Sequence, residues 1–427
     1  MRNLKQLMKV LIKQAHITCT SSPFHGQVKD ILIEDGRIQK IADHIVENAD
    51  EIIADDNLYA SIGWMDIFAN FCDPGYENKE TLETGAAAAA AGGFTDVVIL
   101  PNTHPVVSSK SSVEYIVQKA ATFPVNIYPI ASVTKNAEGK ELSEMYDMHS
   151  SAAIAFSDGT ASIQSPGVLL KALQYVLAID GVIIQVPDDK SISRSGLMNE
   201  GIASTQLGLP GKPAIAEELM IARDIELLRY TGSKLHITGV STKKGIELIS
   251  LAKKEGLRLT CSATPYHGWF CDEDLATYDT NLKVNPPLRT REDMMAVRHA
   301  FQNGTIDCLA SHHMPQHWDD KTCEFEYAQN GMIGLESFFG AVNSFERKID
   351  ELVEQLTVAP RNIFGIVLPE IKEGSNACIT LFNPFLEYIF DETMIRSKSK
   401  NSPFIGKNLK GKVIGIIHKN KTILTVK

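Results

Sequence analysis

Eight short β-rich runs alternate with helical segments through the middle of the chain, and this alternation restricts the fold more than any other feature. After an opening run that ends near residue 72 come "TDVVILP" (95–101), "NIYPIAS" (126–132), "AAIAFSD" (152–158), "GVIIQV" (181–186), "KLHITGV" (234–240), "LRLTCSAT" (257–264) and "IDCLASH" (306–312). Between them lie "ETLETGAAAAAAGG", "SPGVLLKALQYVLAID", "AIAEELMIARDIELLRYTG", "KKGIELISLAKKEG" and "TREDMMAVRHAFQNG". Each mixes good helix formers with spaced apolar positions, and four of the five end near Gly. Eight such units point to an α/β fold, a (β/α)8 barrel, with a doubly wound sheet as the competitor. In a barrel, chemistry gathers at the C-terminal ends of the strands. Those ends hold Phe68, Asn70, Cys72, Asn102, Asp158, Gln185, Gly239, Thr264, His312 and His313.

The two termini follow another pattern. "KVLIKQAHIT" and "VKDILIEDGRIQKIA" alternate like strands, with Asp35-Gly36 marking a tight turn. "ACITLFNPFLEYIF" and "GKVIGIIHKNKTILTV" read likewise at the other end. The expectation is a small β-sandwich assembled from residues 1–58 and 370–427, beside a barrel over 59–369.

Composition sets the remaining bounds. A net charge of -10 with scattered lysines and arginines argues against a broad nucleic-acid footprint. The apolar runs are too short for a membrane span, and "MRNLKQLMKVLIKQAH" lacks the apolar core of a signal peptide. Seven widely spaced cysteines without a Cys-x-x-Cys pair suggest neither a disulfide framework nor a thiolate zinc site, so reduced thiols in a cytoplasmic protein are expected.

Longer stretches carry a resemblance. "DPGYENKETLETGAAAAAAGGFTDVVILPNTHPV", "ITGVSTKKGIELI", "YDTNLKVNPPLRTRED", "GTIDCLASHHMP" and "GMIGLESFFG" together are similar to dihydroorotases of the amidohydrolase superfamily, of the bacterial type I kind. The resemblance implies a barrel beside a small β-sandwich and a hydrolase that interconverts dihydroorotate and carbamoyl-aspartate in pyrimidine synthesis. It implies one or two divalent metals, usually zinc, that activate a water. It also implies a proton-handling aspartate on the last strand, and an arginine and an asparagine that hold the substrate carboxylate.

The family pattern at the first strand is Asp-x-His-x-His-x-Arg-x-Pro-Gly. Asp66 and Pro74-Gly75 match it, but Phe68 and Asn70 stand for the histidines and Cys72 for the arginine. Only Asp158 stands where paired aspartates are usual. Gln185 and Gly239 stand for the fifth- and sixth-strand histidines, His312 for the last aspartate and Gln316 for the closing histidine. Asn102, Asn285 and His313 are retained as remnants of the substrate pocket. Phenyl, amide and glycine positions make a poor zinc set. On this resemblance the expectation is a non-catalytic homologue with no cofactor, tied structurally or by regulation to pyrimidine synthesis. The partners implied are aspartate carbamoyltransferase and a second copy of the chain. An active cyclic amidohydrolase with an altered or shifted metal site is the alternative.

Ordinary readings accompany each residue. Adjacent residues on a strand face opposite ways, so at most one of His312 and His313 faces the mouth. With His317 they could form a new metal site, but polar surface or core roles are favoured. Cys72 reads as a quiet thiol rather than a nucleophile with either histidine. His104 and His267 read as loop residues, and His236 as structural. The stretch 311–331 is a candidate cover for the mouth.

Overall fold

A computed structural model describes residues 9–425. The first half of the stretch read for a signal peptide lies outside those residues. Eight parallel strands form one sheet in the expected order. They are Trp64–Ala69, Phe94–Ile99, Asn126–Ala131, Ala155–Phe156, Val182–Gln185, Lys234–Thr238, Leu259–Ala263 and Cys308–Leu309. The last and first ends approach through a parallel bridge between Ala69 and His313, where the Asn70 N–H donates to the His313 carbonyl at 2.8 Å. The sheet is thus a nearly closed barrel. Among the described residues no helix is long and apolar enough to cross a membrane.

Alternation along these strands separates two cores. Val182 and Ile184 point into the barrel with Met65, Ile67, Val98 and Ile130. Ile183, Leu235, Ile237, Cys261 and Ala263 point outward into the larger core under the helices. The alanine-rich helix Leu82–Ala91 packs almost flush against the barrel. A Cβ on its Gly85 would lie 2.5 Å from the Phe71 ring, so only glycine permits that approach. Its start is closed by a capping box between Thr81 and Thr84.

Both termini build the small β domain as one mixed sheet of eight strands. They join where Tyr59–Ile62 pairs antiparallel with Cys378–Ile389, and Ile62 lies opposite Ile379. Asp35 and Gly36 both take positive φ, which gives the expected tight hairpin between Val28–Glu34 and Arg37–Ala42. Ile12, Ile17, Ile31, Ile38, Ile379 and Leu381 fill this second core.

Candidate functional site

The barrel mouth is built on three residues that fit one another. Phe68, at the end of the first strand, stacks on the His312 ring with centroids 4.4 Å apart. Gly239, after the sixth strand, has φ +73, and a Cβ there would lie 2.8 Å from His312 Cε1. The His312 ring therefore occupies room that any side chain at 239 would need. His312 itself sits at φ 42 and is 2% exposed. Its Nε2 lies 2.8 Å from Thr238 Oγ1. Burial pushes the imidazole down to about 3, with His267 and His236 adding to the effect, so it is neutral at ordinary pH.

His313 turns the other way. It is fully buried, with Nε2 3.4 Å from Glu80 Oε2, and Nδ1 accepts from the Gly334 N–H at 3.2 Å. Glu80 also accepts from Ser397 Oγ, Thr84 Oγ1 and the Lys398 N–H, so it ties the first loop to the C-terminal segment. Burial, the largest single influence, would raise its pKa, but the His313 ring together with the Ser397 and Thr84 hydroxyls outweighs it and holds Glu80 below its ordinary value. Nothing in "YENKE" singles out Glu80 in the sequence, because a loop carboxylate shows no periodicity.

The other expected site residues spend their polar groups locally. Asp66 accepts from both the N–H and Oγ of Ser311 at 2.7 Å. Asn70 Oδ1 accepts from the Cys72 N–H at 2.9 Å. Cys72 is buried, and burial with the nearby Glu80 charge pushes its thiol up to about 12; His312 and His313 have their partners elsewhere. Asn102 bridges to the Asp158 carbonyl and the Thr160 N–H, and Asp158 is bonded to Thr134. A Cβ on Gly159 would come within 1.7 Å of Asn102 Oδ1, so this bridge depends on glycine. Gln185 points with Ile183 away from the mouth and pairs with the Ile163 backbone at 3.4 Å. Gln316 accepts from Lys79 Nζ at 2.7 Å.

Two of the ordinary readings need adjustment. His267 lies in the short helix Pro265–Trp269 rather than a loop, buried between Thr264 Oγ1 and the Pro286 carbonyl. His317 caps the short helix Trp318–Lys321 and pairs with Asp319 at 3.2 Å. His104 is exposed in a loop, as expected. The stretch 311–331 is pinned at the rim by Lys321 Nζ, which donates to the Thr280 and Gln329 carbonyls. A cavity of about 440 Å³ lies beside it, lined in part by Gln316, Trp318, Lys321 and Asn401.

A second polar cluster, not anticipated from the sequence, lies behind Asn285. Lys212 Nζ donates to Asn285 Oδ1 and, at 2.7 Å, to Asp188 Oδ2. Burial lowers the Lys212 ammonium to about 8, although Asp188 pulls the other way. Asp188 Oδ1 is buried without a partner.

Among the described residues no three His, Cys, Asp or Glu side chains converge as a metal group would require. The candidates that remain are engaged with Thr238, Glu80, Ser311 and Thr134.

The architecture is a nearly closed parallel barrel beside a mixed sheet built from both termini. An L-hydantoinase from Arthrobacter aurescens superposes with a TM-score of 0.84 over 98% of this chain and 96% of its own, at 23% identity, which speaks to the fold alone. The family model "Dihydro-orotase-like" matches residues 61–245. The dihydroorotase of Syntrophus aciditrophicus is 39% identical over 414 residues, covering 95% of this chain and 97% of the relative. That of Acetivibrio thermocellus is 40% identical over 411 residues, covering 95% and 96%. The chain belongs to the dihydroorotase family.

That likeness corrects the expectation of a non-catalytic chain with a structural or regulatory role. Relatives this similar along nearly their whole length are named dihydroorotases, which supports dihydroorotase activity. The expectation let a handful of ligand positions outweigh agreement across more than 400 aligned residues. By family the chain is a dihydroorotase-like hydrolase, and the family uses zinc.

Proposed function

We propose that this chain catalyses reversible hydrolysis of a cyclic amide of the dihydroorotate kind, through a mouth whose polar groups differ from the usual set. The observation that carries the reading is 39–40% identity to dihydroorotases over 95% of the chain. The hydantoinase-like fold is consistent with it, since it places strand ends and loops around one mouth. Within that mouth, Asn285 is held by Lys212 and offers an amide to the substrate. Phe68 and His312 supply a tilted aromatic pair beside which a six-membered ring packs. No step is assigned to a metal.

The test is a direct assay of dihydroorotate ring opening and carbamoyl-aspartate ring closure, run from pH 5 to 10 with and without added zinc or manganese. Turnover above the buffer rate is expected. A rate equal to buffer under every condition overturns the reading.

The same reading includes a cytoplasmic setting, which suits seven unpaired thiols. It includes a homodimer and association with aspartate carbamoyltransferase, both implied by family resemblance. Light scattering and co-purification test these two associations. The boundaries 1–58 with 370–427 and 59–369 are proposed as the two domains, with the strand Tyr59–Ile62 at the start of the second pairing into the sheet of the first, to be tested by limited proteolysis.

A further inference from the structure

The interior faces of two neighbouring barrel strands, Lys234–Thr238 and Leu259–Ala263, carry a line of hydroxyls and an imidazole that ends on His312. Thr260 Oγ1 lies 2.8 Å from His236 Nδ1, and His236 Nε2 lies 2.9 Å from Ser262 Oγ. Ser262 Oγ donates to Thr238 Oγ1 at 2.7 Å, and Thr238 Oγ1 reaches His312 Nε2 at 2.8 Å. His236, Ser262, Thr238 and His312 are all buried.

A hydroxyl has one proton to give, and a neutral imidazole gives one and accepts one. In the direction that continues the line, Thr238, which accepts from Ser262, donates its own proton to His312 Nε2. That nitrogen is then the acceptor, and the ring proton sits on Nδ1. Upstream, His236 Nε2–H donates to Ser262, and His236 Nδ1 accepts from Thr260. Burial keeps both rings neutral.

His312 Nδ1 bonds no other group among the described residues, and it is not one of the sealed polar atoms left without a partner. Phe68 on one face and the bare Cα of Gly239 at the edge fix the ring in place. We propose that His312 is a tautomer-locked, neutral hydrogen-bond donor whose Nδ1–H receives the carbonyl oxygen of the cyclic amide at the barrel mouth. A neutral imidazole held in this way polarises a carbonyl without gaining or losing a proton beforehand. The inference rests on the proposed hydrolase reading for its substrate, but the tautomer does not.

The experiment labels the protein with 15N-histidine and reads long-range 1H–15N correlations, with the His312 signals assigned by their loss in His312→Asn. An Nδ1–H tautomer unchanged from pH 5.5 to 9 is expected, together with a shift of that proton on adding dihydroorotate. Thr238→Val removes the lock and should yield a mixture of tautomers. An Nε2–H tautomer, or an imidazolium at pH 7, overturns the proposal.

Kinetics then separate the two readings. Asn places an amide N–H close to the position of imidazole Nδ1, so His312→Asn should retain most of kcat. His312→Phe should lower kcat roughly 100-fold with little change in KM, the loss typical of one oxyanion donor. If the wild type turns over and His312→Phe matches it, the donor role is wrong. If the wild type does not turn over but dihydroorotate shifts the Nδ1 proton, the hydrolase reading falls and the donor stands.

Discussion

Gly239→Ala tests whether the mouth is one packed unit. The new methyl meets two separate obstacles. Residue 239 has φ +73, a conformation that costs a non-glycine residue about 1–2 kcal/mol. Its Cβ would also stand 2.8 Å from His312 Cε1 and 3.2 Å from Pro286 Cδ. His312 is held between the Phe68 ring and the Thr238 hydroxyl and cannot swing aside freely. Overpacking of this kind costs about 1–3 kcal/mol. The sum is roughly 2–5 kcal/mol of lost stability. A double-mutant cycle isolates the second term. In a His312→Ala background the ring is gone, and Gly239→Ala should cost only the backbone term. The coupling between the two sites is then about 1–3 kcal/mol, the range found for residues in contact. Urea unfolding of the four proteins, followed by tryptophan fluorescence, measures it. Additivity within about 0.3 kcal/mol would refute the claim that His312 fills the space over Gly239.

Three further outcomes follow from the same geometry. His236, His312 and His267 are buried with pKa values pushed by desolvation to about 3, 3 and 4, below the unfolded value near 6.5. Below 6.5 the unfolded chain binds protons that the folded chain does not, so stability is full above pH 6.5 and is lost as pH falls toward 3. By pH 5 the loss is about 2 kcal/mol per imidazole, read as a falling urea midpoint that His312→Asn makes shallower. Gly159→Ala places a Cβ at 1.7 Å from Asn102 Oδ1 at φ +66, so it should destabilise clearly more than Asn102→Ala; equal urea midpoints would show that the loop simply moves. The Cys72 thiol, pushed up to about 12 and buried, should resist iodoacetamide at pH 8 while half-buried Cys323 reacts; mass spectrometry showing comparable labelling would contradict its placement.

The architecture was readable because all eight barrel strands are short runs closed by turn residues, and seven of them lie in the segments marked out by β-rich composition. The site was less readable, for identifiable reasons. Gln185 points away from the mouth, but "GVIIQV" is apolar on both faces, as parallel strands buried on both sides are, so no alternation reveals its direction. His312 and His313 do diverge, but they lie beyond the strand Cys308–Leu309 and His312 takes a left-handed backbone, so strand alternation is not the cause. Lys212 and Asp188 lie 24 residues apart and meet only because a loop returns over the fifth strand. The hydroxyls of Thr238, Thr260 and Ser262 looked like ordinary strand residues. Their meaning depends on register, since Thr238 and Ser262 are directly opposed in the parallel pairing.

The residues at 68, 239 and 312 pack as one unit of shape. An imidazole at 312 needs the empty edge that Gly239 leaves, and its face needs an apolar partner, which Phe68 supplies. Returning any single position to the family residue therefore works against the other two. Histidine at 239 would collide with the ring of His312. Aspartate at 312 would leave Phe68 without its stacking partner, and a carboxylate in contact with a phenyl ring in a dry interior is costly. Histidine at 68 would set a second imidazole against the first with no described partner of its own. Each reversion alone should therefore lower stability, whereas changing all three together removes the conflict among them. The order in which such changes are tolerated is a property of packing, and it explains why an inventory of ligands, however complete, does not describe what this mouth can do.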